Sequence, residues 1–117
     1  MTVRQDFTID AGRDYGLSVL LTEDDGETPL NLTDCVIAWV ASKASGQTAI
    51  ISKSSDDSAE IDITDVAEGE ATLFIDAADT EDFGGLTYEH EMVVTDAAGA
   101  EATVLRGLIT ITKSLII

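Results

Sequence analysis

Residues 35–41 read CVIAWVA, and the architecture turns on how that stretch folds. It is almost wholly apolar and rich in β-branched and aromatic side chains. A short run of this kind fits a central β-strand covered on both faces. The expectation is therefore a sheet with this strand inside it and something packed above and below.

Working outward, the neighbouring segments carry a period of two. In Asp6-Phe7-Thr8-Ile9-Asp10 the apolar residues alternate with polar ones. Leu17, Val19 and Leu21 alternate with Ser18, Leu20 and Thr22. Ile50 and Ile51, Glu60-Ile61-Asp62-Ile63 and Ala71-Thr72-Leu73-Phe74-Ile75 read as shorter strands. Residues 86–95 and 102–112 read as the two longest. The separators supply turn chemistry: Gly12, Asp24-Asp25-Gly26, Ser45-Gly46-Gln47, Glu68-Gly69-Glu70, Gly84-Gly85 and Asp96-Ala97-Ala98-Gly99. The last of these joins the two longest strands as a hairpin turn. Between Thr22 and Cys35, Pro29 biases Thr28 towards an extended conformation, and Leu30 and Leu32 are expected to turn inward. Only 76–83 (DAADTEDF) has a helix signature, an aspartate cap followed by acids in the first turn. About eight strands at this spacing, with at most one short helix, predict an all-β fold, an antiparallel β-sandwich or barrel, over a single domain, 1–117.

Composition narrows the function. The net charge is −17, from 23 acids against six bases, and the acids are interleaved with apolar residues rather than gathered in a tail. Nucleic acid and anionic membranes are poor partners for such a surface, because phosphate binding needs clustered Lys and Arg. In dilute buffer the acids repel one another and oppose compaction. At about 1 M salt the screening length falls to roughly 3 Å and the repulsion is largely removed. Sparse lysine, abundant Asp and Glu and many small residues predict a protein of an extreme halophile. A DNA-mimicking acidic inhibitor and a calcium-dependent extracellular domain are the rival readings of the charge. No apolar run is long enough to cross a bilayer. The opening MTVRQDFTID has no apolar core and no small-residue cleavage site, so no secretory signal is expected.

Chemical sites are sparse. His90 is the sole histidine, on a strand face with Tyr88 and Met92, and nothing places a nucleophile beside it. No glycine-rich phosphate loop occurs. The acids of 24–27, 55–58 and 62–65 lack the spacing of a calcium loop. No catalytic residue, cofactor or metal ligand is expected. Cys35 is alone, which excludes an internal disulfide, and reads as a small buried hydrophobe. Trp39 reads as core, leaving few aromatics for a sugar platform. Asn31-Leu32-Thr33 fits a glycosylation sequon but is taken as incidental to the turn before the third strand. Leu115, Ile116 and Ile117 end an acidic chain with three apolar residues. They either finish the last strand or dock on a neighbouring subunit, and are the expected partner interface.

The order of motifs resembles the small immunoglobulin-like β-sandwich domains of tail and baseplate proteins of tailed viruses, such as the N-terminal domain of upper baseplate proteins. The similarity runs nearly end to end: Phe7-Thr8-Ile9 followed by Gly12; Leu20-Leu21 leading to an acid-acid-Gly turn; Pro29-Leu30-Asn31-Leu32-Thr33 before Val36, Ala38 and Val40. Glu68-Gly69-Glu70-Ala71-Thr72-Leu73 then precedes a short turn or helix. The ending, Tyr88 to Gly99 and then Val104 to Ile111, is similar to the family's closing hairpin. One departure is His90, where such domains often carry a second aromatic, and looser packing is expected there. The resemblance implies an immunoglobulin-like sandwich, no catalytic residues, and a structural virion role. Its partners would be other virion proteins, in symmetric homo-oligomers assembled in the host cytoplasm. No receptor-binding or coiled-coil region follows in the chain, which favours a fibre adaptor or decorating subunit. Tail or baseplate is the first expected location, and a capsid-surface decoration or turret the alternative. Readings of another class are the acidic DNA mimic and a carbohydrate-binding module.

Overall fold

The computed structural model describes residues 3–23, 27–44 and 46–113. Residues 24–26, expected to form a turn, and Leu115, Ile116 and Ile117, the expected interface, lie outside the described residues. Nine strands and one helical turn follow in order: β1 Val3–Arg4, β2 Phe7–Asp10, β3 Tyr15–Leu20, β4 Val36–Ser42, β5 Ala49–Ser54, β6 Ile61–Asp65, β7 Glu70–Ile75, α1 Ala77–Thr80, β8 Leu86–Thr95 and β9 Glu101–Thr112. They form an all-β sandwich of two sheets. One is six-stranded, in the order β1-β9-β8-β4-β5, with β2 also paired to β9; the other is three-stranded, β3-β7-β6. The chain crosses between sheets after β2, β3, β5 and β7, which is the strand order of an immunoglobulin-like sandwich.

The elements form where the sequence signals them. β8 and β9 are the longest strands. Asp96 closes their hairpin, its carboxylate accepting the N–H groups of Ala98 and Ala100 at 2.9 and 3.0 Å. The helix is a single turn: the Asp79 carboxylate accepts the N–H of the cap residue Asp76 at 2.8 Å. Gly69 has φ +66°, and a Cβ there would run into the carbonyls of Leu21 and Leu30, so only glycine lets these segments meet.

Inward-facing residues of both sheets build one core. Ile37, Trp39, Ala41, Leu73, Ile75, Met92, Ile109 and Ile111 are fully buried, and Leu32 is nearly so. Leu30 packs against them, so both leucines turn inward as their spacing predicts. Two further features belong to immunoglobulin-like sandwiches. Trp39 stands buried on β4, and the hydroxyl of Tyr88, near the start of β8, reaches back to donate to the Phe83 carbonyl at 3.0 Å.

Three departures from the sequence reading matter. The sandwich is not wholly antiparallel: β1 and β2 run parallel to β9, with Val3 opposite Leu105 and Phe7 opposite Ile109. The Lys53 side chain, on β5, is buried among the core strands and paired with Asp79 at 2.7 Å, where an exposed lysine would be the default. Finally, β4 is covered on one face only. Its burial alternates strictly from Val36 to Ala41, leaving Val36, Ala38 and Val40 exposed.

Candidate functional site

His90 is held by a chain of hydrogen bonds that explains it completely. The indole N–H of Trp39 donates to His90 Nδ1 at 3.2 Å, and His90 Nε2 lies 2.6 Å from the Gln5 carbonyl. An acceptor role at Nδ1 puts the ring proton on Nε2, which then donates to Gln5. The Gln5 carbonyl reaches the ring because Gly107, opposite His90 on β9, has no side chain; a Cβ there would collide with that oxygen. Asp6 completes the crossing from β1 to β2 by accepting the Leu108 N–H at 2.9 Å. Phe7 packs on the imidazole with ring centroids 4.9 Å apart. Looser packing at His90 is thus not found: the residue is 2 % exposed. Burial pushes its pKa below the usual histidine value, against the upward pull of the Gln5 carbonyl and Asp6. Protonation would also set a second N–H against the Trp39 N–H. This arrangement stitches four strands and leaves neither ring nitrogen for catalysis.

The other candidates resolve into structure as well. The Asn31 side-chain oxygen accepts both the N–H and the hydroxyl of Thr33, at 2.9 and 2.6 Å, so the sequon residues build the turn before β4. Asp34 follows in a left-handed conformation, φ 56°. Cys35 is half-buried rather than buried. Its thiol pKa is raised, first by burial and then by the carboxylates of Asp96 and Asp34. It lines a cleft of about 650 Å³ between the β3–β4 connection and the β8–β9 hairpin, with Leu30, Val94 and Val104 inside and Glu23, Asp96 and Glu101 around it. Among the described residues no group of three or more His, Cys, Asp or Glu side chains converges as a metal site would. Trp39 and Tyr88 are buried and offer no platform to a sugar. Many of the acids, among them Asp34, Asp57, Glu68, Asp82 and Asp96, stand in the connections rather than in a row along one sheet.

What remains is a surface. On the outer face of the six-stranded sheet Val36, Val40 and Leu108 are 37 %, 40 % and 37 % exposed. Beside Val40 and Leu108, around a depression of about 250 Å³, stand Arg4, Arg106, Glu89 and Glu91. Arg106 pairs with Glu91 at 2.9 Å, and the Thr103 hydroxyl donates to the same carboxylate. Arg4 pairs with Asp6 at 3.4 Å, so two guanidiniums stand against three carboxylates. The middle of this face is close to neutral in a chain of −17. Sequence reasoning missed it because it assigned both faces of β4 to the core. The usable signal was Val36, Ala38 and Val40 themselves, apolar at positions that alternation sends outward.

No protein-family model matches the chain, and no curated protein matches its sequence. No helix among the described residues is long and apolar enough to cross a membrane.

Proposed function

We propose that the chain is a non-catalytic assembly subunit that docks the outer face of its six-stranded sheet on a neighbouring protein of a virus particle. One observation carries the reading. β4 has the composition of a strand covered on both faces, and its own fold covers one. An apolar strip rimmed by polar groups is the mark of an interaction site. Its nearly balanced charges let a neighbour approach with little of the repulsion that the rest of the molecule presents.

The particle is that of a tailed virus of an extreme halophile, with the chain in the tail or baseplate, or as a fibre adaptor. The ordered motifs that resemble tail and baseplate sandwiches support this placement, as does the acid-rich, lysine-poor composition. A capsid-surface decoration or turret is the alternative placement.

Two measurements test the reading. Mass spectrometry of purified particles and tail sub-particles should detect the chain, and the double variant Val40→Lys, Leu108→Lys should be left out of them while the isolated protein keeps its circular dichroism spectrum. Unchanged incorporation would sink the docking face. Lowering the salt from molar to about 0.1 M should unfold the wild-type protein, since the screening length then grows to about 10 Å. A full β spectrum at low salt counts against the halophilic part.

A further inference from the structure

The second sheet ends in an open strand. β3 is the edge of the order β3-β7-β6, and among the described residues no strand is paired on its other side. Leu21, just beyond it, donates its N–H to the Gly69 carbonyl on the β7 side, and on β7 the Phe74 N–H points the other way, to Glu60. Alternation then sends the N–H and C=O groups of Gly16, Ser18 and Leu20 outward from the sheet edge. All three residues are exposed. Native sheets normally blunt such an edge with charge, proline or a bulge. Residues 15–22 read YGLSVLLT, without a charged residue or a proline in a chain that is 25% charged. The pairing of β3 with β7 runs without a bulge.

The edge is also complementary to itself. Leu20 is 69 % exposed, the largest value among the exposed large hydrophobic residues. Four positions earlier Gly16 presents no side chain on the same face, and the Phe74 ring and the Thr72 methyl lean over it; a Cβ there would touch them at 3.4 and 3.6 Å. The leucine and the bare glycine lie symmetrically about Ser18. A second β3 laid antiparallel, with Ser18 opposite Ser18, sets each Leu20 over the Gly16 of the other copy, against Phe74. In that register Gly16 with Leu20, and Ser18 with its twin, become hydrogen-bonded pairs, about six ladder bonds in all. Phe74, the cross-strand neighbour of Gly16, covers part of that gap as aromatics do for glycines at sheet edges, and it offers Leu20 of the other copy an apolar ring to pack on. A two-fold axis needs one self-complementary patch, and this strand provides it.

We propose that β3 pairs with β3 of a second copy of this chain, joining two three-stranded sheets into one of six strands. The contact lies on the sheet opposite the docking face and goes beyond the assembly reading. Because the strand carries no charge, two acidic copies can meet here once salt screens their flanks.

The test needs only purified protein in molar salt. Sedimentation equilibrium should show a reversible dimer. Ser18→Pro removes an outward N–H and spares the bonds to β7; it should weaken the dimer at least about tenfold, with two ladder bonds lost per dimer. Leu20→Lys should do the same. Ser18→Cys in a Cys35→Ala background should form a disulfide-linked dimer under mild oxidation, since hydrogen-bonded pairs hold their Cα atoms about 5.5 Å apart, within disulfide reach. Ser52→Cys on β5, in the same background, should not. A wild-type monomer throughout the accessible concentration range overturns the proposal. So does a dimer that survives both β3 substitutions, or one that cross-links through position 52 and not 18.

Discussion

The two faces of β4 carry similar residues and have opposite fates. Ile37, Trp39 and Ala41 point inward and are fully buried; Val36, Ala38 and Val40 point outward and remain exposed. The inner face is closed by packing and by the hydrogen-bonded seam from Trp39 through His90 to Gln5. The outer face ends in solvent with a few nearly balanced charges around it. Hydrophobicity alone thus does not say which residues form the core. The inner set is specified by partners within the chain, and the outer set is the face we propose for docking.

Four experiments break or sharpen that contrast. Trp39→Ala should have the largest effect, a loss of about 4 kcal/mol in denaturant unfolding in molar salt. It opens a cavity and leaves His90 Nδ1 without its donor. A loss under 1 kcal/mol would mean that the seam does not organise the inner face. Gly107→Ala should cost about 2 kcal/mol, because the added methyl occupies the space of the Gln5 carbonyl and pushes the N-terminal strand off β9. Hydrogen exchange should show it as lost protection in residues 4–10, with β4 unchanged.

Acid should act next, and only through the inner face. The pKa of His90 is lowered in the folded protein, so its contribution is complete above the unfolded value of about 6.5 and shrinks as the pH falls below it. The unfolded chain then binds a proton that the folded chain refuses. Stability should fall between about pH 6.5 and 5 by at most about 1.4 kcal/mol per unit, ahead of the carboxylates. His90→Gln should flatten that slope; an equal slope in the variant would assign it to other groups. Val40→Lys should have the smallest effect, within about 0.5 kcal/mol of wild type. A larger loss would show that the outer valine stabilises the monomer itself.

Much of the fold could be read from the chain. Period-two patterning located β2, β3, β6, β7, β8 and β9. The Asp96-to-Gly99 hairpin and the aspartate-capped helical turn formed as their local chemistry predicts, because a turn residue acts on backbone groups a few positions away. The inward orientation of Trp39, Leu30 and Leu32 was also legible. Less of the candidate surface was. Lys53 meets Asp79 and His90 meets Gln5 only across the folded molecule, and nothing local to either residue announces its partner. Val36 and Val40 were read as core because an apolar run carries no mark of which face will stay bare.

By itself, then, the sequence determined the all-β class, the approximate number of strands, the turns and the acidic character. These depend on periodicity, on backbone preferences and on summed charge, all of which are properties of short windows or of the whole composition. The tertiary structure alone decided that the first strand runs parallel to the last, that His90 is satisfied on both nitrogens, and that β4 keeps one bare face while β3 keeps one open edge. Those outcomes depend on which strand lies beside which. Strand order is set by contacts between residues far apart in the chain, and a local pattern holds no record of them.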